Sequence, residues 1–288
     1  MTERYVVAVD GSRPAEAALR WAIQRAKHDP APLLLVHVEE DEAGTMGQEY
    51  EQFAARQGAQ LLSQTMAELL DASPELSVSS VMVTGSVPWA LAGVVHADDL
   101  LVIGTGKTGF LHGRVLGSRS VQIAIAVACT VAVVPEVDLR FRRGVVAGID
   151  RHATAGSVAR CAAREARARG EELLLVQAIP ETAQRFSAAE RDRLAITEAL
   201  AIARAECPEL VIRSRVSTRR PAEALLDSAR DKALLVLGPG SLDPVRSPIG
   251  SVLHEVLLNA NAPVLIGRPA EDRQLVGPVE TGLSRADG

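Results

Sequence analysis

Aromatic side chains are scarce in this chain: two Trp, two Tyr and four Phe make up 3% of 288 residues. That is too few for a base-stacking surface of the kind single-strand nucleic-acid binders use. Cysteine is scarcer still. Cys129, Cys161 and Cys207 are odd in number, far apart and form no CxxC pair. This argues against a disulfide framework and a structural zinc site, and a reducing cytoplasm is the compartment that fits. No apolar run reaches the roughly 18 residues of a membrane span. The longest, Ile123 to Val134, reads as a helix end followed by a strand. The first residues run straight into Val6-Val7-Ala8-Val9, which is too short and wrongly flanked for a signal peptide. Nor is there an excess of positive charge: 31 Lys+Arg against 36 Asp+Glu leave a net charge of −5, which argues against life on nucleic acid. The acidic stretch Glu39-Glu40-Asp41-Glu42 points the same way, and Arg140-Phe141-Arg142-Arg143 reads as a solvated linker.

What is present is a globular composition, 47% hydrophobic and 23% charged, in a chain long enough for two domains of about 150 residues. An internal repeat confirms the division. Tyr5-Val6-Val7-Ala8-Val9-Asp10 is echoed by Val145-Val146-Ala147-Gly148-Ile149-Asp150, and Leu33-Leu34-Leu35-Val36-His37-Val38 by Leu173-Leu174-Leu175-Val176-Gln177-Ala178, both at one offset. Leu100 to Gly104 recurs as Leu234 to Gly238, Gly117-Ser118 as Gly250-Ser251, and Thr130 to Val134 as Pro263 to Ile266.

Each half alternates short, continuously apolar runs with longer Ala/Arg/Glu-rich stretches. Continuous runs are the mark of strands buried on both faces, as in a parallel sheet covered by helices. The expected strands are 5–9, 33–38, 76–83, 99–103 and 130–134, then 145–149, 172–177, 209–216, 233–237 and 263–266. Between them, Pro14 to Lys27 follows a candidate N-cap at Ser12, Gln48 to Leu70 and Ala188 to Glu206 are longer helices, and Pro88 and Pro221 suit first helical turns. The fold class is α/β: two tandem doubly wound, Rossmann-like domains, each with a five-stranded parallel sheet flanked by helices. Their expected bounds are 1–138 and 143–270, with 271–288 a mobile tail rich in Gly, Pro and charge. The fifth strands are edges, and an exposed apolar edge invites pairing.

Ligands of such sheets bind at the carboxyl ends of the strands, where strand order reverses. Asp10-Gly11-Ser12 ends the first strand, Val38 the second, and Gly104 the fourth, opening a loop that reaches Gly117-Ser118 and then a helix through Ser120. A glycine-bearing loop leading to a helix N-terminus suits an anion: backbone N–H groups approach without a clashing Cβ, and the helix dipole favours negative charge there. The hydroxyls of Ser118 and Ser120 add donors, and Lys107 and Arg114 add positive charge. Each element also has a plain reading, Gly117-Ser118 as an N-cap and Asp10 as the cap of a turn. The three matter because they fall on one edge of one sheet.

These residues together resemble the universal stress protein family, over nearly the whole chain and twice in tandem. Val7-Ala8-Val9-Asp10-Gly11-Ser12 and the following Ala18-Leu19-Arg20-Trp21-Ala22 look like that family's first strand and helix, and Leu35 to Val38 like its second strand. Gly104, the long loop and Gly117-Ser118 resemble its nucleotide motif, Gly-x2-Gly-x9-Gly-(Ser/Thr). The resemblance implies a cytoplasmic stress-response protein, a sensor or regulator that binds ATP (with Mg²⁺) or AMP, with no settled catalytic residue and no resident metal. It places adenine against Asp10 and Val38, the ribose over Ile103 and Gly104, and the phosphates on Gly117, Ser118 and Ser120. In the family the fifth strands pair between domains, so here they should meet within the chain as a pseudo-dimer. Two chains pairing again as a homodimer, and an unknown protein partner, stay open.

The motif is not intact. Lys107 stands where the second motif glycine belongs, so either the loop shifts by one residue or a cation replaces a close backbone approach. In the second half Asp150 is retained, but Arg151-His152 replaces Gly-Ser. Gly238, Gly240, Gly250 and Ser251 carry the loop there, with Pro239 removing a donor and Arg246 adding charge. Loops degenerate in both halves would leave no cofactor and a protein-interaction module; a weak ATPase is the third reading. A P-loop needs a glycine at position 101, which is Leu101, and no serine sits in a G-x-S-x-G elbow. The six histidines, His28, His37, His96, His112, His152 and His254, show neither H-x3-H nor HExxH spacing and read as surface or packing residues.

Overall fold

A computed structural model describes residues 3–40, 47–106, 118–150, 154–179, 188–240 and 250–268. The first half runs β1 (Tyr5–Ala8), α1 (Arg13–His28), β2 (Leu33–Glu39), α2 (Gly47–Ala72), β3 (Val78–Thr84), α3 (Val87–Val94), β4 (Leu100–Thr105), α4 (Ser118–Ala126) and β5 (Thr130–Pro135). The second runs β6 (Val145–Gly148), α5 (Ala155–Arg169), β7 (Leu173–Ala178), α6 (Ala188–Glu206), β8 (Ile212–Ser217), α7 (Pro221–Ala229), β9 (Leu234–Leu237), α8 (Ser251–Leu258) and β10 (Val264–Ile266).

Local chemistry explains where these elements begin and end. The Ser12 hydroxyl accepts the Ala15 N–H at 3.3 Å, satisfying one of the donors that the first turn of α1 leaves open. Pro88 and Pro221 sit in the first turns of α3 and α7. Gly170 ends α5 in the left-handed region, φ 64°, and its N–H returns to Ala166 and Arg167. β3 starts two residues after the expected 76, and the latest start is β8, three residues after 209. Residues 209–211 close α6 through a turn, Leu210 N–H donating to the Cys207 carbonyl, before the strand proper begins at Ile212.

The strands form one sheet, in the order β3-β2-β1-β4-β5-β10-β9-β6-β7-β8. Pairing is parallel within each half and antiparallel only at the join, where Ala132 faces Leu265 between the flanking pairs Val131–Ile266 and Val133–Val264. Each half thus supplies five parallel strands, and the two apolar edges cover one another, which removes the edge that would otherwise invite association. One face is covered by α1, α2, α5 and α6. Its core holds Tyr5, Val7, Leu33, Trp21, Ala132, Leu173 and Leu265. The other face lies under α3, α4, α7 and α8, with Val6, Val36, Leu91, Ile103, Leu235 and Val256 in its core. Among the described residues no helix is long and apolar enough to cross a membrane.

All three cysteines are free thiols. Burial pushes Cys129 from 9.0 up to about 11, and burial with the nearby Glu165 carboxylate pushes Cys161 from 9.0 up to about 12. The folded chain therefore favours the neutral thiols. Their contribution is whole below pH 9.0 and is lost as pH rises through the folded values, at about 1.4 kcal/mol per pH unit for each thiol. Tyr5, raised by burial from 10.0 to about 12, adds a loss of the same sign above pH 10.0. The urea midpoint is expected to fall steeply between pH 9.0 and about 11, and less steeply in Cys129→Ala. A midpoint flat across that window would contradict the burial of these groups.

Candidate functional site

Strand order reverses at β1, which has β2 on one side and β4 on the other. The carboxyl ends of these three strands form the crevice where doubly wound sheets take ligands. Asp10 stands exposed just past β1, and its Oδ1 accepts the Ser12 N–H at 2.9 Å. That bond is the turn-capping role of an Asx residue. It leads the chain through Gly11, at φ 76°, into α1. Val38 lies one pleat beyond Val36, the partner of Ala8. Ala8 and Val38 are half-buried and pack against the cluster that contains Val36 and Ile103. The crevice floor is therefore apolar, with the Asp10 carboxylate at its rim.

Gly104 has a stricter reason to be glycine. A Cβ there would stand 2.3 Å from the Pro14 carbonyl carbon and oxygen and 2.6 Å from the Ala15 nitrogen. The first turn of α1 lies on β4 at this point, so the glycine serves helix–strand packing before it serves any ligand. Beyond it, Lys107 and Gly117 lie outside the described residues, and of Ser118 only its place as the first residue of α4 is described. Ser120 follows in the first turn and is buried.

Two residues at this edge were not legible as site residues. Arg119, in the first turn of α4, donates from Nη2 to Glu40 Oε2 at 2.7 Å. Glu40 had been read only as part of an acidic stretch; β2 extending to Glu39 brings it to the crevice. Both are largely exposed, so the pair adds little stability, but it puts a carboxylate beside the helix end that would receive an anion. His37, beside Val38, is held on the opposite face. Its Nδ1 donates to the Val9 carbonyl at 2.8 Å, and Gly58 of α2 rests on the ring. The packing reading of that histidine fits this placement.

The second lobe builds the same crevice with a different floor. Gly148 takes the place of Ala8, and a methyl there would stand 2.5 Å from Leu237 Cδ2 and 2.9 Å from Leu225 Cδ2. The two leucines occupy the volume that Ala8 keeps in the first lobe. Gly240, at φ 83°, meets Gly250 backbone to backbone, a Cβ on it lying 2.9 Å from the Gly250 Cα and N. The Gly250 N–H points to the Pro239 carbonyl at 3.4 Å and is not turned outward to a ligand. Gly238 lies over Thr154 and Val158 of α5, as Gly104 lies over α1, but at 3.1 Å or more and only against side chains. Asp150 is half-buried at the end of β6, and Ser251 is exposed at the start of α8. Arg151, His152 and Arg246 lie outside the described residues.

The family model for the universal stress proteins matches residues 1–135 and again 142–268. The chain belongs to the universal stress protein family. A universal stress protein of Mycobacterium tuberculosis is 27% identical over 283 residues, covering 91% of this chain and 96% of the relative. One from Mycolicibacterium smegmatis is 28% identical over 283 residues, covering 92% and 96%. Among solved structures, a universal stress protein from Archaeoglobus fulgidus superposes with a TM-score of 0.72 at 14% identity, covering 93% of this chain and 98% of that one. At that identity the likeness speaks for the fold alone. It spans both lobes, so the tandem arrangement is shared with a solved universal stress protein.

Proposed function

We propose that this universal stress protein binds one adenine nucleotide per chain, in the first lobe, and acts as a cytoplasmic stress sensor or regulator whose state follows that nucleotide. The observation that carries the reading is convergence. An exposed carboxylate (Asp10), a half-exposed apolar floor (Ala8, Val38) and the N-terminus of α4 meet at the strand-order reversal. Adenine would lie on the floor beside Asp10. The ribose would pass Ile103 and Gly104, and the phosphates would take the N–H groups of Gly117, Ser118 and Ser120 with Lys107 as a cation. Mg²⁺ would accompany ATP as a phosphate counter-ion. The second lobe, its floor reshaped by Leu225 and Leu237 over Gly148 and its Gly250 N–H turned to the Pro239 carbonyl, would stay empty.

One feature favours the second reading, a protein-interaction module that no longer binds nucleotide. Glu40 already holds Arg119 and would repel a phosphate at α4. A weak ATPase would require the first reading plus turnover that disappears in Asp10→Ala. Titration calorimetry with ATP and Mg²⁺ separates them. One site per chain is expected, weakened about tenfold or more in Asp10→Ala, which removes a charge-assisted hydrogen bond. Glu40→Gln should tighten binding. No heat at about 1 mM ATP, a weak-binding ceiling, would leave the module reading standing. Two sites would overturn the account of the second lobe.

A further inference from the structure

The seam between the lobes runs along a pseudo-two-fold axis, and two of the pairs that meet across it, Arg25–Glu165 and Ala132–Leu265, are the same repeat position filled with opposite kinds of side chain. Arg25 and Glu165 are 140 residues apart, which is also the offset that relates Tyr5 to Val145 and Leu33 to Leu173. They are thus equivalent positions of α1 and α5. Arg25 grips Glu165 with two bonds, Nη1 to Oε2 at 2.5 Å and Nη2 to Oε1 at 2.6 Å, with side-chain exposures of 14% and 8%. The guanidinium also lies over Trp21 and Tyr5, 5.6 and 5.9 Å from their ring centres. One turn on, the same offset relates Asp29 to Arg169, again opposite in sign. Asp29 takes the Tyr5 hydroxyl, while Arg169 lies 3.8 Å from Glu165 and 6.0 Å over Trp21.

The sheet repeats the pattern in volume. Ala132 and Leu265 occupy the same place in β5 and β10 and face each other across the antiparallel join, 0% and 1% exposed, in the core beneath α1 and α5. Small meets large there, as plus meets minus above.

We infer that this seam is a recognition code between unlike lobes: the β5/α1 surface of the first lobe accepts the β10/α5 surface of the second and rejects a copy of itself. Two first lobes brought together would set Arg25 against Arg25 and leave a void between two Ala132 side chains. Two second lobes would set Glu165 against Glu165 and crowd two Leu265 side chains. Buried like charges and mismatched volume are the devices by which interfaces exclude wrong partners. The code holds the two lobes of one chain together and keeps the same edges of neighbouring chains apart. It stands independently of nucleotide binding.

The test uses the full chain with Trp89→Phe, so that Trp21, buried at the seam, is its single tryptophan reporter. E165R/L265A gives both lobes the first code, R25E/A132L gives both the second, and the fourfold combination exchanges the codes. Each like-coded chain is expected to raise the unfolding constant about a hundredfold, as breaking a buried pair does, with red-shifted Trp21 emission. The exchanged chain should lose less than the other two together, because it restores the ion pair and the small–large contact, although the position-25 carboxylate then faces the Trp21 and Tyr5 rings and the position-165 guanidinium lies near Arg169. An exchanged chain whose loss is the sum of the other two overturns the code. A levelled seam, R25M/E165M/R169M/A132V/L265V, roughly conserves volume and removes the charges, Arg169 included because it would otherwise lose Glu165, so it keeps the fold while losing the discrimination. Refolded across a range of concentrations, it should populate species above the parent's mass by light scattering. A mass distribution identical to the parent's would show that the pairs stabilise without selecting, and would overturn the inference.

Discussion

Gly104→Ala is expected to cost about 3 kcal/mol of stability, the upper end of what overpacking a close contact does. The new Cβ would lie 2.3 Å from backbone atoms of Pro14, and backbone at the start of a capped helix cannot step aside as a side chain does. The repeat supplies its own control. Gly238→Ala, at the equivalent position, meets only Val158 and Thr154 side-chain atoms at 3.1 to 3.5 Å and should cost about 1 kcal/mol or less. Urea unfolding of the two variants reads the difference directly. Equal, small losses would show that α1 is free to retreat from β4, and the first glycine of the motif would then be kept for the ligand. A large loss in the first lobe alone means that a binding defect in Gly104→Ala reports the fold and not the phosphate site. Asp10→Ala is the cleaner probe of binding for that reason, since its carboxylate is exposed and its one described bond closes a local turn.

The same position shows how far the sequence could be read. That residue 104 is glycine at the end of a strand was visible, and so was the crevice it lines. The reason for the glycine was not, because it lies in the distance between α1 and β4, which no local pattern encodes. Strand positions were legible for a simple physical reason. Parallel strands buried on both faces must be continuously apolar, and eight such runs stand out against Ala/Arg/Glu helices, while the two outer strands, β3 and β8, carry Ser and Arg on exposed positions and are marked only by their β-branched residues. Pairing of the fifth strands followed from the edge argument and the family resemblance together, and β5 does join β10. The Glu40–Arg119 pair was out of reach, since it joins residues 79 apart through exposed side chains that leave no periodic trace. Leu225 and Leu237 closing over Gly148 were hidden similarly. Each is an ordinary core leucine in its own element, and only their convergence on a missing methyl reshapes the floor of the second crevice.

Asp99→Ala is expected to cost about 3 kcal/mol, the lower end for removing one partner of a buried ion pair. The Asp99 side chain is fully buried at the start of β4. Arg4 Nε donates to both its oxygens at 3.0 Å, and the His96 N–H donates to Oδ2 at 2.7 Å. Arg4 also reaches the Val94 carbonyl at 2.9 Å, so one carboxylate ties the entry of β1 to the entry of β4 and the end of α3. Removing it strands two donors, with Arg4 at 26% side-chain exposure able to recover part of the loss from water. Asp99→Asn keeps an acceptor for the His96 N–H and should cost about half as much by the same hydrogen-bond accounting. The residue also belongs to a group, Glu3, His96 and Asp99, whose ligand atoms lie within 4.8 Å of one another. That spacing alone would suit a divalent ion, but a guanidinium already sits 3.0 Å from both Asp99 oxygens, and an incoming cation would have to expel it. Zinc or manganese added to the wild-type protein should therefore leave its Tm unchanged. A metal-dependent rise in Tm, lost in Asp99→Asn, would mean that Arg4 yields its place and that the carboxylate is a ligand rather than a tie between strands.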